Sequence, residues 1–348
     1  MKRIFVIIFA FLVFTSCNKE YQPREIDSIS IEKIKMDSVS IRAIHVINKN
    51  KVIYAGSNGD VGIYSTTDNP QTDPISIKYK DSIKPNFRSI ASNGKAIFAL
   101  SIANPALLYK IVDGKTSLNY TEIHEKVFYD AMHFFDDNLH GIAVGDPTEN
   151  CASIITTENG GNTWNKIPCE NLPKFVAEEA FFAASNTNIK TIGSTVWIAS
   201  GGKKARILKS DDYGKTWQIF ETPFIQGDGP QGIYSIDFAD KNNGIAVGGN
   251  YAKPLDNKAN KAITKDGGKT WSIVADGLNP NYKSCVQYVP NTNGLEVFAV
   301  GKTGVSYSND GGNSWKEVSK DGYYAIQFAD KNTAWLSGNN KLGKLVLK

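Results

Sequence analysis

One eight-residue pattern, Ser/Thr-x-Asp/Asn-x-Gly-x-Thr/Ser-Trp, occurs four times in the chain, at 157–164, 210–217, 264–271 and 308–315. Alternating apolar runs flank each copy, as in Ala205-Arg206-Ile207-Leu208 before the second and Trp217-Gln218-Ile219-Phe220 after it. Such flanks mark the two arms of a β-hairpin. The residue types suit a long turn: a short Asp or Asn folds back onto backbone N–H groups, and Gly supplies a positive φ. The Trp then buries its ring against the hairpin. A carboxylate satisfied by its own turn is poorly placed to be a catalyst or a calcium ligand, so the four turns read as scaffold.

A second pattern lies between the turns: a short apolar strand, an Asp/Asn-rich bend, and a strand ending in glycine. It is clearest in MHFFDDNLHGIAVG at 132–145 and IDFADKNNGIAVG at 236–248, and recurs at 286–301 and 326–338. The same shape occurs at 44–56, 90–101 and 181–201, which makes seven. Shared among seven repeats, residues 29–348 allow about 46 each, the size of a four-stranded propeller blade. The expected fold is therefore all-β, a single seven-bladed β-propeller, with a flat sandwich or solenoid as the alternative. Worn versions of the turn lie around 64–68 and 110–117. The last repeat lacks a fourth strand, which the segment near 29–35 is placed to supply. That closure would leave no open sheet edge.

The chain begins differently. Lys2 and Arg3 precede an unbroken apolar run at 4–14, too short for a mature membrane span but suited to an export signal. Phe14-Thr15-Ser16-Cys17 follows, then polar Asn18-Lys19-Glu20. The segment resembles a bacterial lipoprotein signal, with Phe14 where Leu is usual. That resemblance implies a signal peptide at 1–16, lipidation of Cys17, a lipidated tether at 17–28 and a propeller at 29–348. It also implies a cell-envelope location, as an outer-membrane lipoprotein facing the periplasm or the surface, held to the membrane by its lipid alone.

Aligning the inner strands puts Ile44, Ile90, Met132, Phe181, Ile236, Val286 and Ile326 in one column. Two residues earlier stand Arg42, Arg88, Asp130, Glu179, Tyr234, Ser284 and Tyr324. A period of two places both sets on one strand face, so a polar ring is expected above an apolar one at the mouth of the central channel. The chain has five Arg in all, and two fall in this seven-membered column. The polar ring is the candidate ligand- or partner-binding site. Asp146, Asn250 and Tyr251, in glycine-rich loops after second strands, are candidate rim residues. A competing reading has the ring groups pair with one another to close the channel.

Net charge is +4, falling to about +2 without the signal, and no long basic block follows it, so nucleic acid is not an expected partner. The four His show no zinc spacing, and His45 and His133 read as packing residues. Gly56–Gly62 lacks dinucleotide spacing, and neither a P-loop nor a nucleophile elbow occurs. Catalytic residues, metal and cofactors are accordingly expected to be none. Cys151 and Cys169 flank the first turn at similar distances, a possible disulfide in an exported chain that leaves Cys285 unpaired.

The turns and repeats together resemble the BNR, or Asp-box, propellers related to the photosystem II stability and assembly factor, as found in envelope lipoproteins. Relatives of this kind often carry an oxidoreductase label, which no cofactor-binding residue here supports. The resemblance implies a monomer that binds a protein client, or a glycan, without turning it over, with Arg42 and Arg88 as counterparts of the factor's Arg-bearing face. Sialidases resemble the chain at the same turns and loosely at Phe87-Arg88-Ser89-Ile90. That likeness carries the alternative, a glycoside hydrolase using Asp130 and Glu179 as its two carboxylates.

Overall fold

The computed structural model describes residues 21–347. The expected signal peptide and Cys17 lie outside them. Among the described residues all regular structure is β except one short 3-10 turn at Cys169–Asn171. Every strand pairing is antiparallel, and successive strands are mostly hydrogen-bonded neighbours. The chain is a β-propeller.

The expectation of seven blades is corrected: the strands form six sheets, four of four strands and two of six. The strands assigned to the first and last repeats share one sheet, because two long strands run through it without a break. Ile31–Asn48 pairs along Ile31 to Lys35 with Leu345 to Lys341 of Thr333–Val346, and along Ile41 to Asn48 with Lys51–Gly56. Strand pairing between the two ends of the described chain thus closes the ring, as the incomplete last repeat suggested. Residues before it also lie on the ring. Arg24 Nε donates to Glu296 Oε2 at 2.9 Å, and its Nη2 donates to the Lys331 carbonyl at 2.8 Å.

The second correction concerns 181–188. This segment was expected to be an inner strand, but the inner strand of its sheet is Ile189–Ile192, paired with Thr195–Ala199. Residues 185–188 instead run through the hub as a plug. Asn186 accepts from Met132 N–H at 2.9 Å and donates to the Ile90 carbonyl at 2.9 Å. Ser185 Oγ donates to the Ser284 carbonyl at 2.6 Å, and Thr187 Oγ1 meets Ser235 Oγ at 2.7 Å. One irregular stretch thereby ties four inner strands together. The channel beneath retains about 80 Å³, between Ile44, Ile236, Val286 and Ile326.

The four turns join third to fourth strands. In the third copy Asp266 Oδ1 accepts from the N–H of Lys269 and Thr270, at 3.0 and 2.9 Å, and from Thr264 Oγ1 at 2.9 Å. The Trp indole N–H donates to the Gly carbonyl three residues earlier, at 2.9 Å for Trp217, 3.0 Å for Trp271 and 2.8 Å for Trp315. Each ring wedges between neighbouring sheets. Trp164, for example, meets Phe98 and Phe134 edge-on at 6.2 and 5.9 Å. Cys151 and Cys169 are joined by a disulfide, and Cys285 is free and buried.

Candidate functional site

Four residues of the polar column occupy the same structural element, a β-bulge. The register skips one residue between Ile41 and Ala43, Phe87 and Ser89, Tyr129 and Ala131, and Ile233 and Ser235. The extra residues are Arg42, Arg88, Asp130 and Tyr234. A bulge leaves one residue unpaired and re-aims its side chain, a device common at rims and binding sites. It also explains the strands that end in glycine. A Cβ on Gly145 would stand 2.4 Å from the Phe128 carbonyl oxygen, and one on Gly248 would stand 2.1 Å from that of Gly232. At these two positions only a residue without a side chain lets the bulged strand approach this closely.

Arg42 and Arg88 come together at one end of the channel. The Arg42 guanidinium lies 4.1 Å from the centre of the Tyr324 ring and donates weakly to the Ala184 carbonyl at 3.4 Å. Burial, and the like charge of Arg42 beside it, hold Arg88 below the usual guanidinium range. Tyr234 stacks on Phe182 with ring centres 3.9 Å apart and meets Tyr282 edge-on at 4.8 Å. Its hydroxyl donates to the Pro230 carbonyl at 2.9 Å. Ser284 Oγ donates to the Tyr324 carbonyl at 2.7 Å, so it braces the ring rather than facing outward.

Asp130 is wholly buried, and neither carboxylate oxygen has a hydrogen-bond partner. Burial, then the neighbouring Asp146, push its carboxyl well up, against the opposing pull of Arg88. Burial also raises Asp146, to about 6, although Phe181 N–H donates to it at 2.7 Å. The two acids lie beside the Arg88 cation, and of the two it is Asp130 that lacks a bonding partner.

Glu179 does not join them. It forms a buried ion pair with Arg206, whose Nε donates to Oε1 at 2.9 Å, and Ser200 Oγ donates to the same oxygen at 2.8 Å. Its place in the column belongs to Thr187, two residues before Ile189. The sequence alignment slipped here because Phe181 and Ile189 both head apolar stretches.

Of the rim candidates, Asp146 reaches the mouth through Asp130. Tyr251 joins the aromatic group, meeting Tyr282 at 5.7 Å and carrying Lys302 Nζ 3.8 Å from its ring centre. Asn250 braces its own turn by accepting from Ala252 N–H at 2.9 Å. Phe182, Tyr282 and Lys302 were missed in the sequence. An aromatic residue two places before the Ser284 position was the available signal for Tyr282. His45 and His133 are half-buried in the inner strands, and desolvation lowers both, His133 to about 4. Among the described residues no cluster of His, Cys, Asp or Glu is arranged to hold a metal.

No protein-family model matches the chain, and no curated protein matches its sequence. Similarity appears in solved folds. YCF48 bound to D1 peptide matches with a TM-score of 0.64 at 15% identity, covering 93% of this chain and 100% of that one. The WD40 repeats of RRP9 match with a TM-score of 0.65 at 12% identity and the same coverage. YCF48 from Cyanidioschyzon merolae gives 0.59 at 15% identity, covering 91% and 98%. All three likenesses are of fold, and all are to propellers or repeat domains of that kind.

Proposed function

We propose that this chain is a lipid-anchored propeller of the Asp-box kind whose mouth binds an extended, carboxylate-bearing segment of a protein client, in the manner of an assembly factor. The observation that carries this reading is the placing of Arg42 and Arg88 side by side on bulges, with the half-buried Tyr324 ring against Arg42 and the buried Tyr234 and Tyr282 packed behind. Two adjacent cations repel unless an anion lies between them. Guanidinium forks match carboxylates, and flat aromatic walls accept peptide backbone and side chains with little loss of rotamer freedom. A peptide-bound state of the YCF48 neighbour supports the same use of the fold. A bulky glycan fits the guanidinium pair less well unless it is acidic.

The hydrolase reading fares worse. Glu179 is locked against Arg206, so Asp130 lacks that carboxylate as a catalytic partner.

Crosslinking in whole envelopes followed by mass spectrometry identifies the client, and synthetic segments of it are then titrated into purified protein. Arg42→Ala with Arg88→Ala should weaken binding at least tenfold while leaving the melting midpoint within a few degrees. Undiminished binding would remove the mouth as the site. For the anchor, Cys17→Ser should move the protein from the membrane to the soluble fraction, and a variant that stays in the membrane refutes lipidation there.

A further inference from the structure

The clefts between sheets are not all alike. The second-strand position occupied by Ile53, paired with His45, corresponds to Phe98, Ile142 and Ile245 in other sheets, which pair with Ala91, His133 and Asp237. In those three clefts a turn Trp from the next sheet covers the residue: Trp164 on Phe98, Trp217 by Ile142, and Trp315 by Ile245. No Trp covers Ile53; Ile75, Ile97 and Ile111 pack around it and leave it 3% exposed. The hairpin of the next sheet, Ala106–Val112 with Lys115–Glu122, turns through Asp113 and Gly114 alone, with φ of 48° and 76°. Two successive left-handed residues make the tight hairpin turn, which has no loop on which to carry a Trp.

The consequence is a groove of about 950 Å³, walled by Ile53, Ile97 and Ile111, with Ile47 and Ile63 left 47% and 39% exposed. Its rim is acidic by one charge. Asp68 is held by Lys51 at 3.0 Å, whereas Asp73 and Asp113 make no ion pair among the described residues, and Lys95 is the other cation present. The turn carboxylates elsewhere are saturated by their own backbone, but Asp113 is not.

We infer that this groove is a second binding site, separate from the channel mouth, for an extended peptide carrying an aromatic side chain next to a basic one. The aromatic ring lies in the groove on the exposed Ile47 and Ile63, beside the cleft that a turn Trp fills elsewhere, and the cation meets Asp73 and Asp113. The slot's apolar walls supply affinity by burial and the two acids supply orientation.

The test is calorimetric titration of the folded chain with three capped pentapeptides: Gly-Lys-Trp-Lys-Gly, Gly-Lys-Ala-Lys-Gly and Gly-Glu-Trp-Glu-Gly. The first should bind saturably, at least tenfold tighter than the second and about threefold or more tighter than the third at low salt, the margin over the third shrinking as salt screens the rim. Ile63→Glu, on an already exposed side chain, should weaken the first at least tenfold. Asp113→Asn, which keeps a residue tolerant of positive φ, should weaken it severalfold. Four results overturn the proposal: equal binding of the Trp and Ala peptides, no saturable binding, saturable binding of decanoate instead, or self-association of the chain that Ile63→Glu abolishes.

Discussion

The carboxylates at the rim of the ring and those at its mouth sit on the same repeating scaffold and live in opposite circumstances. Asp266, out in a turn, is exposed and accepts bonds from two backbone N–H groups and two hydroxyls, which hold it below the usual carboxylate range. Asp130, on a bulge at the hub, is wholly buried and accepts none, and burial drives it up. The difference separates architecture from function by a physical criterion. A side chain whose bonding capacity is filled by its own neighbours holds the fold together, while one left unfilled at a cost in stability is available to a ligand.

That contrast can be strained most severely from the rim. Trp271→Ala removes a buried wedge between sheets and should cost about 3–5 kcal/mol, read from the urea midpoint. A cost under 1 kcal/mol would mean that the wedges do not hold the sheets together. Next in size is the pH response of the mouth. Burial holds the Asp146 proton to about pH 6, above its unfolded value of about 3.9, so the folded state binds it more tightly. The stability contribution of this group is therefore fully present below about pH 4, falls as pH rises towards 6, and is lost above. Relative to Asp146→Asn, the wild type should lose about 2 kcal/mol of stability between pH 4 and 7.5. Parallel pH profiles of the two proteins would show Asp146 to be solvated.

The smallest effects give the sharpest comparison, because they should differ in sign. Asp266→Ala deletes the turn's bonds and should destabilise by about 1–2 kcal/mol. Asp130→Asn removes a buried carboxyl whose charged form is disfavoured by burial and should stabilise by about 1 kcal/mol at neutral pH. Thermal melts of the two variants decide the matter, and two losses of equal size would erase the distinction between rim and mouth.

Much of this was legible in the chain before any coordinates. Turn chemistry is local, so the eight-residue pattern alone located four hairpins, and the column of Arg42, Arg88, Asp130 and Tyr234 followed from short-range strand alignment. Three things depended on long-range contacts and were not legible. The number of sheets depends on Ile31–Asn48 and Thr333–Val346 running unbroken, which no local pattern encodes. The role of 185–188 depends on backbone partners supplied by four separate strands. Glu179 was misplaced because its partner, Arg206, lies on a strand of a different sheet and not at a fixed spacing. The bulges themselves left a trace, the glycine facing three of the four (Gly56, Gly145 and Gly248, with Ser101 at the fourth), whose meaning becomes plain only when the facing backbone is in view.

Closure of the ring has a consequence for the order of events during biosynthesis. Ile31 emerges early, yet its partner Leu345 is translated about 300 residues later, so the first strand waits unpaired until the last one arrives. Any chain cut short before that point exposes a naked edge to proteases and to other chains. The latch thus acts as an inspection of completeness: a polypeptide that lacks its final strand has no way to hide that fact.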